Sequence, residues 1–179
     1  MKGQDVEIRA PSPQDADRLE RFFARVPPSD RTFFKEDVRD PAVVEQWTGG
    51  SGGSRALALG RGGAVLAAAS VVPLSGWSDH VAELRLVVDA RHRRRRLGTT
   101  LARWALLEAV RMGSQKVVVE VLADQEPAIA MFQGLGFVPE ALLRDHVRGR
   151  DGKLHDLLLL AHAVRGNWSQ LATLGMEAE

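Results

Sequence analysis

The stretch VVDARHRRRRLGTTL, residues 87–101, constrains the fold of this chain more than any other. A β-branched strand runs into an arginine-dense turn, and the turn opens a helix. A strand-turn-helix of this kind directs main-chain N–H groups at one point, where the helix dipole adds partial positive charge. Such a point binds a phosphate. The plainer reading of HRRRR is a solvated basic turn, because most charge runs are solvated faces. The elements flanking the run separate the two readings.

A chain of 179 residues suits one domain, here 1–179 with a core at about 5–165 and a tail at 166–179. A domain of this size buries roughly 70% of the surface that its unfolded form exposes. The absence of cysteine excludes a disulfide framework, a thiolate metal site and a cysteine nucleophile. It fits a reducing compartment, so a cytoplasmic location is expected. The opening MKGQDVEIRA carries no apolar core for a signal sequence, and LLLLAHAV and AVLAAASVV fall short of a membrane span. No membrane partner is expected. Lys plus Arg number 24 against 23 Asp plus Glu, so no global field attracts nucleic acid either. Tyrosine is absent altogether, which removes one common general acid.

Along the chain, DVEIRA alternates like a half-buried strand, and Ser12 followed by Pro13 opens a helix expected over 13–25. The proline- and aspartate-rich segment at 26–41 carries Phe33 and Phe34 and leads to a short helix over 41–47. Two apolar runs, 55–59 and 64–73, join through GRGG as a hairpin. HVAELRLVVD is a further strand. In the following helix Gly98, Leu101, Ala102, Ala105, Leu106, Ala109 and Met112 share one face, which docks on a sheet. KVVVEVLA reads as a central strand, apolar on both sides except at Glu120. Asp124 caps a helix with Pro127 in its first turn and Gly136 as its stop. FVPEALLRDHVR and LHDLLLLAHAV make a closing hairpin, and Trp168, Leu171 and Leu174 suit a short C-terminal helix.

Strand, arginine turn, helix, strand, helix ending LGF and hairpin occur in an order that resembles the GNAT acyl-CoA N-acyltransferases over about residues 5–165. Two separated motifs carry the resemblance. The family turn V-x-P-x-x-(Q/R)-x-x-G-x-(G/A) falls on Val88 through Gly98, and N-x-x-A-x-x-(Y/F)-x-x-x-G-F falls on QEPAIAMFQGLGF at 125–137. The resemblance implies an α+β fold with a mixed, mostly antiparallel central sheet flanked by helices. It implies acetyl-CoA as co-substrate, with no metal required. Carried over by position, Val87 and Val88 face the pantetheine arm. Arg93, Arg94, Arg95, Arg96, Leu97 and Gly98, with Thr99 and Thr100, cradle the pyrophosphate. Gln125 and Phe132 lie beside the far end of the cofactor.

The sequence departs from the family pattern in three places. Arginine stands at Arg94 and Arg96 where glycine is usual, and the expectation is that Arg96 keeps a negative φ, points outward and leaves amide binding intact. Phe132 replaces a tyrosine that protonates the departing thiolate in many relatives, and it also reads as core beside Ala128 and Met131. Gln125 replaces asparagine and lengthens the arm.

Acetylating an amine requires the amine neutral, and a carboxylate near the thioester can take its proton. Glu83 and Glu120 both sit inside strands beside the expected site. Glu83 matches a glutamate of resembling bacterial protein-lysine acetyltransferases, in the pattern AE-x-x-x-x-V. Glu120 matches one in ribosomal-protein N-terminal acetyltransferases, and its valine neighbours predict desolvation and a raised pKa. Each also reads as a strand residue paired with a neighbour such as Arg85. His146 and His155 in the closing hairpin face one another on this reading, without metal-ligand spacing.

The sequence therefore predicts an N-acetyltransferase acting on a primary amine, either a protein lysine or a small molecule. The acceptor groove is expected to involve the N-terminal helices, including Phe33, Phe34 and Trp47, and the closing hairpin. A rival reading is a GNAT-fold module that binds CoA, another anion or nucleic acid through the arginine turn with weak or no catalysis; a third is transfer from a longer acyl-CoA. A homodimer through the closing strands is compatible with the pattern.

Overall fold

A computed structural model of the protein describes residues 6–27, 30, 35–50, 52–149 and 152–164. The expected features on Phe33, Phe34 and the tail residues Trp168, Leu171 and Leu174 lie outside the described residues. Strand β1 (Glu7–Arg9) leads through a 3-10 turn (Pro13–Asp15) into α1 (Ala16–Arg25), and α2 (Pro41–Thr48) follows. Next come β2 (Ser54–Leu59), β3 (Val65–Pro73), β4 (Val81–Val88), α3 (Leu97–Arg111), β5 (Lys116–Leu122), α4 (Glu126–Gln133), β6 (Val138–Arg148) and β7 (Leu154–Ala163). The strands form one seven-stranded sheet in the order β1-β2-β3-β4-β5-β7-β6. Among the described residues only the β4–β5 pair is parallel, as α3 crossing between them requires.

That parallel pair is short. Its register runs from Val81↔Lys116 to Leu84↔Val119 and stops, although β4 continues to Val88 and β5 to Leu122. Beyond that point β4 stays paired with β3 up to Ala67↔Val88, and β5 stays paired with β7 up to Leu122↔Leu157. The sheet therefore divides into two arms. Residues 85–88 and 120–122 flank the gap with main-chain edges that pair with no strand across it, among the described residues.

The helices cover the two faces unequally. Val117, Val119 and Val121 of β5 and Leu84 of β4 join α3 residues Leu101, Ala102, Ala105, Leu106 and Ala109 in one core. The three alanines let α3 lie close on the strands. On the other face Leu19, Phe22 and Phe23 of α1 and Val44 and Trp47 of α2 bury Leu57, Ala68 and Val87. Side chains alternate along a strand, so Glu83 and Arg85 share the α1–α2 face with Val87, and Glu120 lies on the same side of β5. The second core reaches β4 but includes no residue of β5. This leaves Val118, Glu120 and Leu122 half-buried.

Local starts differ from expectation in detail. Ser12 does open the first helical segment, but through Asp15: the main-chain N and Oγ of Ser12 both donate to Asp15 Oδ2, at 2.9 and 2.8 Å. Arg9 makes a two-point contact with the same fully buried carboxylate. This holds the Asp15 carboxyl well below the usual carboxylate range, although burial opposes the shift. The cap of α4 is Gln125 rather than Asp124, its carbonyl accepting from Ala128 and Ile129 at 2.9 and 3.1 Å. In the closing hairpin a bulge between Leu143 and Val147 puts His155 opposite Val147, so His146 and His155 do not face one another.

Candidate functional site

Two parts of the molecule meet at the divided sheet: the turn from β4 into α3, and a cluster of charges on the α1–α2 face.

Asp89 organises the turn. Its carboxylate accepts from the main-chain N–H of Arg91 at 3.0 Å and from the Arg91 guanidinium at 3.1 and 2.9 Å, and Arg25 lies 3.4 Å away. Arg91, with a smaller contribution from Arg25, holds this buried carboxyl far below its ordinary value. Arg93 turns away from the α3 axis: its side chain pairs with Asp30 and reaches the Val88 carbonyl at 3.4 Å. Arg94 and Arg96 are exposed and have φ of 58° and 63°. The expected negative φ at Arg96 is overturned. Both arginines adopt the left-handed conformation that glycine takes at low cost, so the backbone path is kept at a strain of roughly 1–2 kcal/mol per residue.

The helix start that follows is left open. Arg96 is the N-cap of α3, no side chain caps it, and no acidic residue stands in its first turn. The first helical hydrogen bond runs from the Thr100 N–H to the Arg96 carbonyl at 3.0 Å, and Thr100 Oγ1 bonds the same oxygen. The N–H groups of Leu97, Gly98 and Thr99 precede that bond and have no intrahelical partner. A helix N-terminus without a capping carboxylate, beside a run of arginines that its own dipole repels, suits an external anion. Gly98 has a separate role. A Cβ there would stand 2.9 Å from Met131 Sδ and 3.7 Å from Val88 Cγ2, so glycine lets α3 pack against α4 and β4.

Val87 points into the α1–α2 core, whereas Val88 packs on the α3 side; of the two, the main chain is what lies along the gap. Gln125 is half-buried at the start of α4. Phe132 is 4% exposed and packs edge-on against Phe137 at 5.2 Å, in the core.

The charged cluster runs from the α2 side of this face to the gap. Trp47 Nε1 donates to Glu36 Oε2 at 3.3 Å, and Arg85 bridges Glu36 Oε1 at 3.1 Å to Glu83 Oε2 at 3.0 Å. Lys35 Nζ then lies 2.8 Å from Glu83 Oε1 and 2.8 Å from Glu120 Oε1. One ammonium thus sits between the two carboxylates singled out in the sequence. Arg55 stacks over the Trp47 ring, its centre 5.3 Å from the centroid.

Burial alone would push the Glu83 carboxyl up, but Arg85 and Lys35 outweigh it and hold the group below its ordinary value. Burial likewise pushes the Lys35 ammonium down, and Glu120 and Glu83 reverse this to leave it above the ordinary lysine value. The desolvation expected of Glu120 falls on Glu83 instead: the Glu83 side chain is 9% exposed and that of Glu120 27%. The valines beside Glu120 face α3, and its own side of the strand is only half-buried. Trp47, expected in the acceptor groove, is 1% exposed and meets the site through its hydrogen bond to Glu36 and its ring contact with Arg55. Lys35, Glu36 and Arg55 were not expected in the site; the readable signal was charge at inward positions of apolar strands, at Arg55 and Arg85.

The sequence matches the profile of the Acetyltransferase (GNAT) family over residues 17–137. No curated protein matches the sequence. Several solved structures share the fold. Ribosomal-protein-S5-alanine acetyltransferase from Vibrio fischeri superposes with a TM-score of 0.75 at 12% identity, covering 94% of this chain and 97% of its own. Arabidopsis thaliana NAA60 in complex with acetyl-CoA gives 0.73 at 16% identity, with 90% and 99% covered. A spermidine N-acetyltransferase SpeG chimera from Vibrio cholerae and hSSAT gives 0.72 at 14% identity, with 93% and 98% covered. With the family profile matching most of its length and the divided sheet and open helix start in place, the chain belongs to the GNAT family of acyl-CoA-dependent N-acetyltransferases.

Proposed function

We propose that the protein transfers an acetyl group from acetyl-CoA directly to a primary amine, with Glu120 taking the amine proton. The observation that carries this reading is the pair of carboxylates closing on one ammonium at the point where β4 and β5 part. When bound, acetyl-CoA supplies a thioester carbonyl that a neutral amine can attack.

The residues present suit that co-substrate. The N–H groups of Leu97, Gly98 and Thr99 hold the pyrophosphate, and exposed Arg94 and Arg96 add positive charge around it. The edge of β4 beyond Leu84, where the ladder with β5 has ended, offers main-chain hydrogen bonds to an extended arm, as a sheet edge does to an added strand. Four residues of β4 span roughly 13 Å, which carries such an arm from the turn back toward Glu83 and Glu120.

Glu120 suits the base because it flanks the gap and is partly open to solvent. Glu83, held below its ordinary value by Arg85 and Lys35, is a poor base and acts by holding the incoming ammonium. Phe132 has no proton to give, so the thiolate leaves unassisted, which its pKa of about 8.5 permits near neutral pH. The alkyl-ammonium of Lys35 lodged between the carboxylates favours an acceptor of the same kind, such as a protein lysine or a small alkylamine.

Isothermal titration with CoA in moderate salt tests the first half, and transfer from acetyl-CoA to butylamine and to a lysine peptide tests the second. Micromolar binding with transfer is expected. Absence of CoA binding overturns the reading, and binding without transfer to any amine leaves a CoA-binding module with weak or no catalysis.

A further inference from the structure

We infer that Lys35 is itself an acceptor: the centre acetylates the ε-amine of Lys35 in its own chain. The inference rests on the transferase reading above and goes beyond it by naming a modification site.

Lys35 Nζ lies 2.8 Å from each of the two carboxylates able to receive its proton. Glu83 stands opposite Val118 within the β4–β5 ladder and Glu120 is the first residue of β5 beyond it, so the amine lies at the mouth of the gap. The residue type carries a second argument. The chain contains twenty arginines and four lysines, and arginine makes the better bridge between two carboxylates through its rigid fork. Here the bridge is a lysine, the cationic side chain whose amine can lose a proton and become a nucleophile. Lys35 also has φ of 57°, a left-handed conformation at a residue other than glycine, stored where the side chain must be aimed.

The step balances. The Lys35 ammonium gives one proton to Glu120, the neutral Nζ attacks the thioester carbonyl of acetyl-CoA, an N–C bond forms and the C–S bond breaks. The thiolate leaves and takes up the second amine proton, giving acetyl-lysine and CoA thiol. The product amide carries no charge, so Glu83 keeps Arg85 as its cation and Glu120 is released from Lys35.

The test uses the full chain, begun from material whose intact mass shows no acetyl group, incubated with acetyl-CoA alone and followed by intact mass and peptide mapping. The expected result is one acetyl group per chain, located at Lys35, with Lys116 and Lys153 at background. The rate per chain should not change with protein concentration, as an intramolecular transfer requires. Lys35→Arg keeps the positive charge and removes the nucleophile, so that label disappears; Glu83→Gln with Glu120→Gln abolishes it as well. Equal labelling of all lysines, or a rate per chain that rises with protein concentration, overturns the inference. A second arm adds butylamine. Acetylation of butylamine with Lys35 unmodified overturns self-acetylation while the transferase reading stands, and CoA binding with neither amine modified overturns both.

Discussion

The arginine turn and the carboxylate cluster lie at opposite ends of the same gap and use the chain in opposite ways. In the turn the main chain provides the binding groups. Arg94 and Arg96 stand where the family pattern has glycine, yet both hold positive φ and keep their side chains in solvent. The departure in residue type becomes a conformational cost and leaves the path of the amides in place. In the cluster the side chains provide everything. Glu36, Arg85, Glu83, Lys35 and Glu120 alternate in charge, and each contact is made by an atom that a substitution would remove. Backbone sites therefore tolerate drift in sequence that side-chain sites do not.

The sharpest break between the two regions comes from the carboxylates. Glu120→Gln should lower the transfer rate by roughly 10²- to 10⁴-fold with CoA affinity unchanged, read by steady-state kinetics beside CoA titration. Wild-type rates in Glu120→Gln with loss in Glu83→Gln would exchange the two roles. Asp89→Ala is next in size and probes a side chain on which the turn does depend. It removes the carboxylate that caps the turn and pairs with the exposed Arg91 and Arg25, and should cost about 1–2 kcal/mol of stability together with CoA affinity, measured by urea unfolding and calorimetry.

The same carboxyl sets an acid limit. Its folded pKa lies below its unfolded value, so its contribution is complete above the unfolded pKa of about 4 and is lost as pH falls further. Urea midpoints should fall steeply below pH 4 in the wild type, and less so in Asp89→Ala. Gly98→Ala should cost about 1 kcal/mol through its contact with Met131, and Met131→Ala in the same chain should recover part of that in a double-mutant cycle. The smallest effect is a gain: Arg94→Gly and Arg96→Gly should each raise stability by about 0.5 kcal/mol, with CoA binding nearly unchanged. A large loss of affinity in either variant would mean that the guanidinium itself binds phosphate, and the contrast between the regions would narrow.

The strands, their order of appearance and the buried face of α3 were legible because each follows a local period of two or 3.6 residues. The turn was legible because strand, charge run and helix adjoin in sequence. The cluster was only half legible. Glu83, Glu120 and Arg85 show as charges inside apolar strands, but Lys35 and Glu36 lie in an aperiodic segment and gain their role from contacts 48 and 49 residues away. Glu120 misled because valine neighbours suggest burial on both sides, whereas the alternation sends Val119 and Val121 to α3 and leaves the glutamate on the thinly covered face. Trp47 misled in the opposite sense. A large aromatic near a groove can serve as its wall or as the core beneath, and packing against Phe23 at 5.4 Å makes it core. The end of the β4–β5 ladder had no local signal, since both strands continue unchanged through it.

That early end of the ladder has a mechanical consequence. Four residue pairs, Val81↔Lys116 to Leu84↔Val119, are the strand-to-strand join between the two arms, and a ligand lying between residues 85–88 and 120–122 would act as the missing length of sheet. The arms would then be stitched together along the gap, and the binding energy would appear as rigidity. At a ligand concentration 100 times its dissociation constant the folded state gains about 2.7 kcal/mol. The slowing of amide exchange should be concentrated in the two short edges that line the gap, marking where the co-substrate completes the fold.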